Sequence, residues 1–296
     1  MIIDPKTISA PELHGYLLGV IAPRPIAWAS TVDLEGNVNL APYSFFNVFS
    51  SNPPTLILSP ALPRDGQKKH TLTNAEETGE IVINIVSYPL VEQMSLSSTA
   101  YAKGVNEFVK AGLTEVASDK VKPPRVGESI AAFECKVKEV IALGSNPGAG
   151  NLIIAEVVLA HFKDEIIGEN GMPDPFKADL VGRMGGDWYA HAQGDSIFKL
   201  PKPNRNLGIG VDQIPVRIQN SFVLTGNNLG RLANVSELPS ESQIEGFAAT
   251  VEIREIKSRF KHDSESFENH LHELAQKFLE NDEVEKAWLT LLQSKT

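Results

Sequence analysis

The sequence predicts a mainly β fold: a β-barrel with flanking helices, followed by a partly helical C-terminal segment. Three observations carry this expectation. Short β-branched or aromatic runs recur at 26–32, 38–41, 55–59 and 80–86, and two longer ones lie at 130–143 and 152–162. Little helical pattern separates them, and the alternating strand–helix rhythm of a parallel sheet is missing. Beyond about residue 200 the chain turns polar and then closes on apolar residues at helical spacing.

The elements follow in order. Residues 10–18 read as a short helix. Pro23-Arg24-Pro25 stiffens the backbone ahead of the 26–32 strand, Asp33-Leu34-Glu35-Gly36-Asn37 makes its turn, and 38–41 returns antiparallel to it. Pro53-Pro54 precedes the run at 55–59, and 71–78 reads as a helix with Thr71 as N-cap and Gly79 as its stop. Helical pieces are expected near 89–96 and 106–111, and the glycine-bearing stretch 144–150 joins the two long strands. Pro201-Lys202-Pro203-Asn204 reads as a linker, which divides the chain into domains at 1–200 and 201–296. In the second, Phe267, Leu271, Leu274, Phe278, Val284, Trp288 and Leu291 mark one or two amphipathic helices over 264–292, expected to pack on the barrel or on a partner subunit.

Composition narrows the function classes. The chain has 296 residues, 42 % of them hydrophobic, enough for a sizeable core. Its net charge of −10 argues against nucleic-acid binding and against docking on anionic lipid. No apolar run approaches the roughly 18 residues of a membrane helix. The start, Met1-Ile2-Ile3-Asp4-Pro5-Lys6, lacks a signal-peptide pattern. A lone cysteine, Cys135, excludes an internal disulfide or a Cys-rich metal site and reads as a small core residue. A soluble, cytoplasmic protein is expected.

The stretch from Pro23 to Ser59 holds the candidate chemistry, with a second piece at Lys69-His70-Thr71 and Asn74. Ser30 and Thr31 end an apolar strand, so their hydroxyls can project at a barrel rim. Ala41-Pro42-Tyr43-Ser44 is a small-residue segment whose backbone can approach a flat heterocycle, with Tyr43, Phe45 and Phe46 offering aromatic surface. Lys69 and Thr71 open a helix, and a helix N-terminus with a cation and a hydroxyl suits a phosphate. Together these pieces suit a planar ring with a phosphate tail. Singly, Phe45 and Phe46 read equally well as core, Ser30 and Thr31 as strand-end polar groups, and Lys69 as a solvated lysine.

Other motifs carry little. His270 and His272 are spaced by two on a helix and point to different sides, so they do not make a zinc site. The chain has no His-Glu-x-x-His, phosphate-loop or Gly-x-Ser-x-Gly motif, and Gly182-Arg183-Met184-Gly185-Gly186 lacks the strand–helix setting of a dinucleotide fingerprint.

The run Arg24-Pro25-Ile26-Ala27-Trp28-Ala29-Ser30-Thr31, then Asn39-Leu40-Ala41-Pro42-Tyr43-Ser44-Phe45-Phe46-Asn47, then Asn52-Pro53-Pro54, resembles the flavin reductase-like, FMN-binding split-barrel family. The resemblance covers roughly residues 5–200; members usually carry Lys-Asp-Thr where this chain has Lys69-His70-Thr71. It implies a six-stranded Greek-key split barrel that forms a homodimer with FMN near the subunit interface. By the same resemblance, Ser30, Thr31 and the segment Ala41, Pro42, Tyr43, Ser44, Phe45 and Asn47 would contact the flavin ring and ribityl chain, and Lys69 and Thr71 its phosphate. Tyr189, in the stretch Leu180 to Tyr189, would lie near a nicotinamide or simply pack with Trp188. The implied activity is an NAD(P)H-dependent flavin reductase, with FAD as an alternative flavin and a monooxygenase or other electron acceptor as partner. The competing expectation is an FMN-bound electron-transfer protein with no nicotinamide site. Hydride transfer to flavin N5 requires stacked rings and no obligatory side-chain acid or base, so no catalytic residue is nominated.

Overall fold

The computed structural model describes residues 1–200, 202–203 and 207–294. The chain divides into two compact units, Met1–Phe198 and Lys199–Thr296. Pro201 and Asn204 of the expected linker lie outside the described residues.

Unit 1 is built on one antiparallel sheet. Its strands are β1 (Ala27–Val32), β2 (Val38–Tyr43), β3 (Phe46–Ser51), β4 (Pro54–Leu58), β5 (Glu80–Ile85), β8 (Ala131–Ala142) and β9 (Asn151–Phe162). The spatial order is β2-β1-β5-β8-β9-β4-β3. Only Ser44 and Phe45 separate β2 from β3, yet these two strands form opposite edges of the sheet. The two edges therefore meet at that bend, and the sheet rolls into a split barrel. Counted as one bent strand, β2 and β3 reduce the seven strands to the six that the resemblance implies. Two short pairs lie outside this sheet: β6 (Glu115–Val116) with β7 (Arg125–Val126), and β10 (Val181–Arg183) with β11 (Tyr189–His191).

Strand alternation explains the two cores around β1, all six of whose residues are buried. Ala27 and Ala29 face the barrel interior with Leu58, Leu72, Ile81, Ile83, Cys135 and Ile153. Trp28 faces the other way, with Leu40, Met94 and Phe108, and its indole N–H donates to Ser97 Oγ at 2.8 Å. Cys135 is a core residue as expected, and burial pushes its thiol up to about 12.

The helices of this unit are α1 (Ala10–Val20), α2 (His70–Thr78), α3 (Val91–Leu96), α4 (Glu107–Ala111) and α5 (Pro175–Ala178). One expectation is corrected. Thr71 does not cap α2; Lys69 occupies the cap position and supplies no side-chain hydrogen bond, while Thr71 lies inside the first turn and is buried. Helix α2 stops at Gly79, whose φ of 68° is left-handed. The strand β3 was not expected, since Phe46 to Ser51 carries no alternation that distinguishes it from a loop.

Unit 2 is helical: α6 (Val216–Gln219), α7 (Gly226–Leu232), α8 (Glu241–Phe247), α9 (Val251–Arg259), α10 (Ser264–Glu280) and α11 (Val284–Leu291). The stripe over 264–292 forms two helices, interrupted where Asp282 takes a φ of 67°. Leu271, Leu279, Trp288 and Leu291 are buried with Ile214, Ile218 and Leu232, so this unit has its own core. The Trp288 indole N–H donates to Leu232 O at 3.0 Å. The four shorter helices were not legible in the polar sequence before residue 264.

Candidate functional site

The candidate site forms where β2, the bend at Ser44-Phe45 and the start of α2 come together. In β2, Ala41 pairs with Ala29, Pro42 with Trp28 and Tyr43 with Ala27. Pro42 is tolerated because β2 is an edge strand and its missing N–H breaks no ladder bond on the open side. One outward N–H of this edge is answered from α4: Leu40 N donates to Glu107 Oε2 at 2.9 Å. Glu107 is buried, and burial raises its pKa although that N–H and the charge of His70 pull the other way.

Behind the edge lies a closed polar network. The Asn39 amide donates to Thr71 Oγ1 at 2.9 Å and to Thr31 Oγ1 at 3.3 Å, and the Asn74 amide donates to Thr31 Oγ1 at 3.1 Å. Thr31 and Thr71 have no exposed surface. Their role in this geometry is to lock β1, β2 and α2 together. The Tyr43 ring is buried beside this network, and burial pushes its phenol up to about 12.

Lys69 completes the group, with its ammonium 5.4 Å from the centroid of the Tyr43 ring. The residue is open to solvent, but surrounding protein still lowers its pKa by desolvation. No side chain caps α2; Leu72 N donates to Lys69 O at 2.9 Å, which leaves the N–H groups of His70 and Thr71 without a side-chain cap beside this cation. The donor set suits a phosphate: backbone N–H groups at a helix start, an adjacent ammonium and no carboxylate capping the turn. A polar pocket of about 270 Å3 flanks it, lined by Asn39, Lys68, His70, Thr73, Asn74 and Lys103 among others.

The remaining expected residues divide. Ser44 is half-buried in the bend, Phe45 is exposed and meets His14 edge-on at 5.8 Å, and Asn47 is exposed on β3. Asn47 also borders an apolar cleft of about 410 Å3 with Pro25, Phe46, Val48, Leu56 and Phe133. Ser30 is not part of the group around Lys69. Alternation puts it on the Trp28 side of β1, where its hydroxyl is buried without a hydrogen-bond partner. Tyr189 stands on the separate β10–β11 hairpin, under the Arg183 guanidinium at 4.6 Å.

Arg24 belongs to the scaffold. Its guanidinium donates to Leu18 O at 3.1 Å, Ile21 O at 2.6 Å and Met184 O at 2.8 Å, and its backbone bridges Arg183. Gly182 permits that approach, since a Cβ there would sit 2.7 Å from Pro23 Cβ. Sequence reading missed the role of Glu107, which no local pattern marks, and named Asn39 and Asn74 without seeing that they carry the network.

Comparison with known proteins identifies the barrel. Residues 21–173 match the flavin reductase like domain. An uncharacterised protein of Aquifex aeolicus is 36 % identical over 195 residues, 66 % of this chain and 97 % of that one. Nitrilotriacetate monooxygenase component B from Bacillus cereus is 31 % identical, with a TM-score of 0.63 over 68 % of this chain and 98 % of that one. The 2-nitrobenzoate 2-nitroreductase of Pseudomonas fluorescens is 26 % identical, with a TM-score of 0.59 over 68 % of this chain and 96 % of that one. Each of these three proteins leaves about a third of this chain unmatched. With the motif from Arg24 to Pro54, the barrel and these relatives in agreement, the chain belongs to the flavin reductase like family of split-barrel, flavin-binding oxidoreductases.

Proposed function

We propose that this protein is an NAD(P)H-dependent flavin reductase with FMN as its flavin. The observation that carries the reading is the uncapped start of α2 beside Lys69, next to the open backbone of residues 41–47. Lys69 and the first-turn N–H groups of α2 would hold the phosphate. Ala41, Pro42, Ser44, Phe45 and Asn47 would present backbone and aromatic edge to the ring, with Tyr43, Thr31 and Thr71 holding that edge in place. Bound flavin would supply the redox chemistry, accepting a hydride at N5 from the nicotinamide. The protein's share would be positioning: the β2 edge would hold one side of the ring and leave the other open to the donor.

The polar pocket of about 270 Å3 lies just under the roughly 300–1,000 Å3 of ordinary ligand sites. It suits the polar tail of a flavin better than the ring, which would lie against the exposed face beyond Phe45. That face continues into the apolar cleft and the exposed Val48 and Phe49. We infer that a second copy of the chain covers it, giving a homodimer. The Bacillus cereus neighbour is a component of a monooxygenase system, which supports delivery of reduced flavin to a monooxygenase.

The test is an absorption spectrum of the purified protein, identification of the released flavin and steady-state oxidation of NADH and NADPH. FMN release with nicotinamide oxidation is the expected result; FAD would change the flavin assignment. FMN without nicotinamide oxidation would replace the reductase by an electron-transfer protein that lacks a donor site. A chain that binds neither flavin would overturn the reading.

A further inference from the structure

Three side chains away from the flavin site converge on the long β8–β9 hairpin. Phe133 and Cys135 pack toward the barrel core, so Glu134 points to the opposite face of the sheet. Across the ladder Glu134 pairs with Leu159 and Ala132 with His161, which makes Glu134 and His161 diagonal neighbours. Their side chains meet, with His161 Nε2 at 2.6 Å from Glu134 Oε1. Asp119, from the segment between β6 and β7, brings Oδ2 to 3.7 Å from the same nitrogen. The three candidate ligand atoms all lie within 4.8 Å of one another.

We propose that Asp119, Glu134 and His161 form a binding site for one divalent transition-metal ion, best suited to Zn2+.

The chemistry of the set favours this over an alkaline-earth ion. One imidazole with two carboxylates suits Zn2+, whereas Mg2+ and Ca2+ prefer oxygen ligands alone. Three protein ligands leave a fourth tetrahedral position for water, on the solvent side where Asp119 is exposed. Glu134 is prepared as a ligand. Asp119 N donates to its Oε1 at 2.9 Å and Lys120 N to its Oε2 at 2.6 Å. Such bonds orient a ligating carboxylate and keep it ionised. A carboxylate offers about four lone-pair positions, so with two taken by backbone N–H groups a position remains for the ion. Without metal, that position takes the His161 N–H.

Metal binding replaces this N–H with the ion. Ligand atoms around tetrahedral zinc stand roughly 3.3 Å apart, so the 2.6 Å contact must open by less than 1 Å. His161 is only partly buried and Asp119 sits on a loop, so both can make that adjustment. The ion would join the 117–124 segment to the barrel sheet, adding to the hydrogen bonds from Asp119 and Lys120 and to the packing of Val121 on Val82 and Ala132.

The experiment is calorimetric titration of the tag-free full-length protein with ZnCl2 after treatment with chelator, repeated with MgCl2. The expected result is one Zn2+ per chain, no Mg2+ binding, and affinity at least tenfold weaker in both His161→Ala and Asp119→Ala. Asp119 is exposed, so its variant remains informative if loss of His161 impairs folding. Absence of Zn2+ binding, or binding that both variants retain unchanged, would overturn the proposal.

Discussion

The Lys69 ammonium stands over the ring of Tyr43, 5.4 Å from its centroid, at the uncapped start of α2. This places a cation, a helix N-terminus and a rigidly held aromatic within one small region at the barrel edge. Tyr43 is held by burial and by its pairing in β2, and α2 is tied to that strand through Asn39 and Thr71, so the platform under Lys69 is stiff.

Lys69→Ala should weaken FMN binding by about 1.5–3 kcal/mol, the worth of a charge-assisted contact to phosphate. Flavin fluorescence titration reads this directly. Because desolvation lowers the Lys69 pKa, affinity in the native protein should fall on the alkaline side sooner than an ordinary lysine would dictate, and the variant should lose that dependence. Unchanged affinity would place the phosphate elsewhere.

Arg24→Lys should destabilise unit 1 by about 3 kcal/mol in urea unfolding. A lysine ammonium cannot span the three carbonyls of Leu18, Ile21 and Met184 that the planar guanidinium reaches at once. The β10–β11 hairpin that carries Tyr189 should loosen first, seen as faster amide exchange at Arg183, whose N–H donates to Arg24 O.

Glu107→Gln should stabilise the protein at neutral pH. A buried acid with a raised folded pKa favours folding most below its unfolded value of 4.5, and that advantage is lost as pH rises through the folded pKa. Glutamine keeps an acceptor for the Leu40 N–H and removes the titration. Denaturant midpoints measured between pH 4 and 8 should slope downward in the native chain across this window and flatten in the variant.

His272 gives unit 2 the opposite dependence. Its Nδ1 lies 2.7 Å from Ser221 Oγ, and burial, aided by the charge of Arg217, lowers its pKa against the pull of Glu268. Because the neutral form is favoured in the fold, stability is full above 6.5 and falls as pH drops from there through the lowered folded value. His272→Gln should keep a partner for Ser221 and reduce this acid sensitivity, measured by far-ultraviolet circular dichroism melts from pH 7 to 5. Equal acid sensitivity in both proteins would assign the effect to another group.

The local signals were strong where a few adjacent residues carry them. The run from Arg24 to Pro54 marked the first barrel strands, because strand alternation and a turn are written within 31 positions, and its resemblance to the flavin reductase-like family is what implied the flavin. The 3.6-residue stripe from Phe267 to Leu291 likewise marked its helices, since an amphipathic face depends only on spacing along one element.

By itself, then, the sequence determined which segments are strands or helices over most of unit 1, the family motif and the candidate anion seat at Lys69. Tertiary structure decided what each polar residue faces. Adjacent in sequence, Ser30 and Thr31 fall on opposite sides of β1, and only Thr31 joins Asn39 and Asn74. Leu40 meets Glu107 across 67 positions and Arg24 meets Met184 across 160, contacts that no local pattern encodes. The pairing of β3 with β4 and the shared core of the short helices in unit 2 belong to the same class. The physical reason is common to all of them: a propensity acts within one turn or one strand. A buried hydrogen bond instead takes the partner that the whole packed chain brings within reach, because leaving the group unpaired away from water costs more than any local preference returns.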